Sequence, residues 1–375
     1  MTTRCLHISA LAQKRNQSAA VNSVLLRSLL ALAWLVIGLF LIGNKPAHAV
    51  TIDDPFSYFN VYSLNNISYS GSDFQGKACA AGNVSLNNFS LALKDQGGYA
   101  LHAGGTVTFT KGTFYGGLEA GKAISVGGIG INGDVHGGAD VSNTVAGGTI
   151  NGNVYAAGTA NLGPNITYYS KTSGVAYNPE ADLEAISSYF ANFSTLVGDM
   201  SNTGSINNYY GTLSLTTVSG INVFSLSAAD MYAASTVKIT GVSDAIVYIN
   251  VTGTSASLNW TGWQYSGGIA ADDVLLNYAD ATSLTMTSSN YVNILAPFAD
   301  TSFTGGVVTG NLIVGNLRGS GQVNLGHFSH GPQMTTVQMT SVPEPASIFL
   351  MCTGLIGLTG LRLAARRPGL SHSQK

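Results

Sequence analysis

Four stretches in the first half of the chain repeat one order of apolar, polar and small residues. They are Leu101-His102-Ala103-Gly104, Leu118-Glu119-Ala120-Gly121, Val135-His136-Gly137-Gly138 and Val154-Tyr155-Ala156-Ala157, spaced by 17, 17 and 19 residues. Six positions after each leading residue stand Val107, Ile124, Val141 and Ala160. Alternate residues of a strand face opposite sides. Leu101, Leu118, Val135 and Val154 are therefore expected to form one inward column, and Ala103, Ala120, Gly137 and Ala156 a second, of small residues. His102, Glu119, His136 and Tyr155 then share an outward column. Glycines between the strands supply sharp corners. The period fits one coil of a parallel β-solenoid, whose coils bury their apolar edges only by stacking on one another.

One segment departs from this pattern. Asn178-Pro179-Glu180 reads as a helix start, with Asn as cap, Pro in the first turn and Glu180, Asp182 and Glu184 at the positive end of the dipole. Leu183, Ile186, Phe190, Phe193 and Val197 follow at steps of three and four, predicting one amphipathic helix over about 179–199 that covers an apolar side of the solenoid. Strand-like runs return from Gly211 to Phe328, among them Ala245–Val251, Val292–Pro297 and Gly310–Gly315. The fold class expected is mainly β, a parallel β-solenoid with one long flanking α-helix.

Both chain ends read as addresses. Arg4, Lys14, Arg15 and Arg27 precede an apolar run over 29–42, and Ala47 and Ala49 are small residues at the two positions a signal peptidase reads. Cleavage after Ala49 is expected, with an uncleaved anchor as the alternative. At the other end, Val342, Pro343, Glu344 and Pro345 lead into sixteen uncharged, mostly apolar residues, Ala346 to Leu361, and then a basic tail of Arg362, Arg366 and Arg367. Pro fixes φ and lacks an N–H, so the motif is expected to stay extended. The apolar run is about 24 Å long as a helix and is expected to form a short transmembrane segment. The order of these parts resembles the PEP-CTERM sorting signal rather than an ordinary anchor helix. That resemblance implies an exosortase-type sorting protease as partner and a Gram-negative host. It also implies residence at the inner membrane before processing, then at the cell surface or in the extracellular matrix. The expected organisation is a signal peptide (1–49), a solenoid domain (50–332), a tether (333–341) and a sorting signal (342–375).

Setting the ends aside changes the charge. Of 16 basic residues only 7 lie within 50–341, against 17 of the 18 acids, which leaves that region about ten negative. Phosphate recognition needs concentrated Lys and Arg, so nucleic acid is excluded as a partner. Cys79 is the lone cysteine between the addresses, which rules out an intramolecular disulfide there and reads as a small buried apolar residue.

A family resemblance covers nearly all of 53–328. It rests on Asp54-Pro55-Phe56, Phe59-Asn60-Val61-Tyr62, Ser72–Lys77 leading to Ala80-Ala81-Gly82-Asn83, the Gly-rich coils and the Pro179 helix. Gly220–Phe224, Asn293–Pro297, Gly310–Val314 and Gly319–Asn324 complete it. The chain resembles the choice-of-anchor A family, in which one exported domain is joined to different surface anchors. Solenoid plus helix also resembles the ice-binding adhesin fold. Neither resemblance supplies a catalytic residue.

Candidate chemistry is sparse. The adjacent pairs Asp53-Asp54 and Asp272-Asp273 point to opposite faces if in strands, so neither is a ready dyad for glycoside hydrolysis. The His102, Glu119 and His136 column carries donors for a divalent metal, but an exposed ladder is the expected reading, as loop residues are for His327 and His330. Thr106, Thr108 and Thr110, with Thr285 and Thr287, are too few for a threonine array of the ice-binding kind. No enzyme, catalytic residue, metal or cofactor is expected. The function expected is a surface-sorted structural or adhesive protein working in the extracellular polysaccharide or biofilm matrix. Binding of ice or another repeating surface is the alternative, and polysaccharide cleavage a remoter one.

Overall fold

A computed structural model describes residues 50–339 apart from 176, 178, 179, 260, 335 and 336. The cleavage residues Ala47 and Ala49, the sorting residues Val342 to Pro345, the apolar run 346–361 and Arg362, Arg366 and Arg367 lie outside the described residues, as do Asn178 and Pro179.

The repeat is a coil of a parallel β-solenoid. One row of short strands, face A, holds Val61–Ser63, Ala78–Ala80, Tyr99–Ala103, Gly117–Ala120, Val135–Gly137 and Asn153–Ala156. Longer strands such as Val84–Leu91, Val107–Phe114 and Ile124–Ile131 supply two further rows, faces B and C, from their first and second halves. They bend between the halves at Asn88, Lys111 and Gly128, all at positive φ. Just beyond the bend, a Cβ on Gly112 would lie 1.8 Å from the Phe89 carbonyl oxygen. Glycine is the side chain that lets those coils stack. Pairing places Leu101, Leu118, Val135 and Val154 in one buried column and Ala103, Ala120, Gly137 and Ala156 in a second, in the expected register. Val107, Ile124, Val141 and Ala160 likewise align.

Coil order along the stack differs from order along the chain. The first coil, with Val61–Ser63 and Ile67–Ser70, sits in the middle. Coils wind outward from it to the strand Ser170–Ser173. After the helix, Gly220–Ser227 starts a second stack that winds back through Ala245–Thr252, Val274–Asn277 and Asn293–Phe303 to Leu312–Gly319. That last strand pairs with the first coil on both faces, Val61 opposite Leu312 and Ile67 opposite Leu317.

Among the described residues three α-helices accompany the strands: α1 (Pro55–Tyr58), α2 (Glu180–Gly198) and α3 (Ala228–Ala233). The α2 stripe is buried as expected, with Leu183, Ile186, Phe190, Phe193 and Val197 packed on face A beside Phe56, Phe59 and Tyr62. Polar groups fix its register. The Tyr62 hydroxyl donates to the Leu183 carbonyl at 2.9 Å, and the Asn277 and Asn250 amides donate to the carbonyls of Ser194 and Val197 at 2.9 and 2.7 Å. The latter two tie the last turns of α2 to the solenoid, and the Val197 carbonyl also accepts from the Met200 amide at 3.2 Å.

Among the described residues no helix is long and apolar enough to cross a membrane. The transmembrane assignment is corrected to this extent: no described segment supports it, and the run 346–361 on which it rested lies outside the described residues. The one long helix has nineteen residues but is amphipathic, with Asp182 and Glu184 away from its buried stripe.

Asp73 opens the short strand Asp73–Phe74, and its Oδ1 is buried without a hydrogen-bond partner. Desolvation raises its pKa above the ordinary carboxylate value, and Lys94 partly offsets this. The unfolded chain therefore ionises first as pH rises, so folding stability falls through the window between the unfolded and folded values. Asp73→Asn is expected to raise the melting temperature at pH 7 and to lose that advantage at pH 3, as read by thermal unfolding at both pH values.

Candidate binding face and the buried histidine column

The outward column of face A has the expected register but not the expected exposure. Tyr62, Cys79, His102, Glu119, His136, Tyr155 and Thr172 follow one another across paired strands. His102 is 0% and Glu119 5% exposed, which corrects their reading as an exposed ladder. Face A is covered by residues distant in sequence. Tyr58 at the end of α1 places its hydroxyl oxygen 3.3 Å from His102 Nε2, and the Tyr99 ring packs against both His102 and His136. The Tyr177 ring packs on His136 from the segment entering α2.

Beneath that lid His102 Nδ1 lies 2.9 Å from Glu119 Oε2. Burial pushes up the phenol pKa values of Tyr58, Tyr99 and Tyr177, and the Glu119 carboxylate adds to each shift. Burial likewise pushes the Cys79 thiol well above its ordinary range, so the sulfur stays protonated and is no nucleophile at neutral pH. Among the described residues no group of three His, Cys, Asp or Glu is arranged to hold a metal.

The acid pairs have structural partners. Asp54 caps α1, accepting from the Phe56 and Ser57 amides. Asp273 accepts from the Ala270 amide at 2.8 Å and lies 2.9 Å from His330 Nε2. A shallow groove of about 400 Å³ between α2 and the solenoid is lined by residues including Asn65, Ser187, Pro297 and Phe298, with no carboxylate on its wall.

Face B is uncovered and polar from end to end. Ser257, Thr285, Ser302, Arg318, Ser68, Ser85, Thr108, Ser125, Ser142 and Asn161 form one unbroken outward row, each opposite the next. All ten residues are exposed or partly exposed, although the Ser125 hydroxyl oxygen itself is buried without a hydrogen-bond partner. At about 4.8 Å per strand the row runs roughly 43 Å. Most members sit between two buried inward residues, as in Val84-Ser85-Leu86 and Val107-Thr108-Phe109; Arg318 and Ser142 have one partly exposed neighbour each, Gly319 and Asn143.

A parallel row beside it is fixed by its own hydrogen bonds. Asn66 Nδ2 donates to Asn316 Oδ1 at 3.2 Å, the Asn83 amide to Asn66 Oδ1 at 2.8 Å, and the Thr106 hydroxyl to Asn83 Oδ1 at 2.9 Å. Arg318 donates to both Asp300 oxygens at 2.7 Å, so the charges here pair with each other. What remains for a partner is a rigid, nearly neutral lattice of hydroxyls and amides. Of this face, Thr106, Thr108, Thr110, Thr285 and Thr287 were singled out from the sequence. The serines and asparagines that complete the rows were not, although the recurring apolar–Ser/Thr–apolar triplet marks them.

Searches against curated proteins and against solved structures returned no match. Residues 341–367 match the PEP-CTERM protein-sorting motif, which implies recognition by an exosortase-type sorting system. Residues 52–325 match the ice-binding-like adhesive domain, a span that takes in every coil of both stacks and the helix between them. The chain therefore belongs to the ice-binding-like adhesive domain family, an adhesive rather than a catalytic class, and carries a PEP-CTERM sorting motif.

Proposed function

We propose that this protein is an exported, surface-sorted adhesin of the choice-of-anchor A type whose face B binds extracellular polysaccharide. The ten-residue outward row carries this reading. A long glycan presents hydroxyls at repeated intervals, and a rigid row of hydroxyl and amide groups meets them with many weak contacts and little ordering cost. Charge agrees, because a region about ten negative repels polyanions and favours neutral or weakly charged glycans. Ice is the second reading, favoured by the regular in-register stacking of the row. The central row, however, has two threonines, Thr108 and Thr285, among six serines, so it presents few of the methyl groups that accompany hydroxyls in a threonine array.

The test is retention of the protein on exopolysaccharide of the producing cells and, in a parallel arm, on polycrystalline ice. Ser85→Trp combined with Thr108→Trp puts two bulky rings on the centre of face B. Retention on polysaccharide is expected to fall at least tenfold, while stability changes by no more than about 0.5 kcal/mol per site, as for other surface substitutions. Thr149→Trp, on exposed face C, should leave retention unchanged. Unaltered retention of the double variant would contradict the proposal, and loss confined to the ice arm would transfer it to the second reading.

A further inference from the structure

The strand Val50–Ile52 pairs antiparallel with Val337–Met339, with Val50 opposite Met339, Thr51 opposite Gln338 and Ile52 opposite Val337. These are the two ends of the described chain. Val50 is the first residue that cleavage after Ala49 would leave, and Met339 stands two residues before the matched sorting motif. We propose that this pair is a clasp fastening the processed ends together, so that the segment bearing the sorting motif is held on the domain and not hung from a free linker.

A two-stranded ribbon alone is marginal in water, and this one is anchored. Ile52 is buried in the same apolar cluster as Phe56, Phe190 and Phe328, and Met334 packs against that cluster. The Met334 amide donates to the Asp53 carbonyl at 2.8 Å, and the Tyr189 hydroxyl of α2 to the Pro332 carbonyl at 2.6 Å. The expected tether is thus tied at Met334 and over Val337–Met339. Antiparallel pairing has a second consequence: the chain before Val50 and the chain after Met339 leave the clasp at the same end. Both cutting events would be presented at one place. Opening the clasp from Met334 to Met339 would add six residues of reach, roughly 20 Å of extended chain.

The test uses the full chain with Cys5→Ser and Cys352→Ser, produced without the sorting enzyme. Residues opposite each other in an antiparallel pair have Cα atoms roughly 4.5–5.5 Å apart, within the range a disulfide spans. Thr51→Cys with Gln338→Cys is expected to form an intramolecular disulfide under mild oxidation in most molecules, and Thr51→Cys with Ser320→Cys in less than a tenth as many. In a second arm, Ile52→Asp should speed cleavage by a nonspecific protease between 333 and 341 at least fivefold. Free thiols in the paired variant, or equal cleavage rates in folded wild type and Ile52→Asp, would overturn the clasp. If Ile52→Asp does not fold, the disulfide arm decides alone. Neither readout involves the sorting enzyme or a glycan, so the clasp can fail or stand separately from the adhesive reading.

Discussion

Leu118→Asp is expected to abolish the cooperative thermal transition of the first-half coils. Leu118 is fully buried between Leu101 and Val135 in the inward column. The substitution removes its packing and leaves a charge with no partner, a loss on the order of 5 kcal/mol or more. Circular dichroism against temperature reads it, and a melting point within about 2 °C of wild type would mean that the column is not the core. The neighbouring Glu119→Ala, which the sequence suggests to be harmless, is expected to be costly as well. It strands a wholly buried His102 without its carboxylate, at about 3 kcal/mol. Glu119→Gln keeps a hydrogen-bonding oxygen and should lose less. The order expected is Leu118→Asp worst, Glu119→Ala next and Glu119→Gln mildest.

Phe190→Asp should be the second large effect. The Phe190 ring packs edge-on against Phe56 at 5.1 Å and against Tyr62 at 4.9 Å, wholly shielded from water. A carboxylate there costs several kcal/mol and detaches α2 from face A. The lid over the His102–Glu119 pair adjoins the start of that helix, so amide exchange should rise at Leu101–Ala103 and Leu118–Ala120 as well as in α2. A melting temperature equal to that of wild type, with α2 amides still protected, would show that the stripe is not what seats the helix.

What could be read from the sequence follows from how local the information is. The columns were legible because four successive coils repeat at spacings of 17, 17 and 19 residues and a strand alternates its faces between bends. Helix α2 was legible because its stripe lies within nineteen residues. The burial of His102 and Glu119 was not, since Tyr58, Tyr177 and Leu183 come from segments 44 to 81 residues away from His102. Nothing within a coil reports what will lie over it.

Coil order was hidden for the same reason. The pairing of Val61 with Leu312 spans the domain, and a parallel strand does not encode which neighbour it takes. Face B sits between these cases. Ten coils contribute one Ser, Thr, Asn or Arg each to the central row, and in the sequence the two stacks appear far apart. Only the meeting of the last coil with the first turns two short rows into one.

Amide hydrogen exchange of the full chain, with and without exopolysaccharide from the producing cells, tests the role of face B most directly. Protection is expected in Ile67–Ser70, Val84–Asn87, Val107–Thr110 and Leu317–Gly319, the strand segments that carry the middle of the row, with face C and α2 unchanged. Protection confined to face C or to α2, or none at saturating polysaccharide, would contradict it.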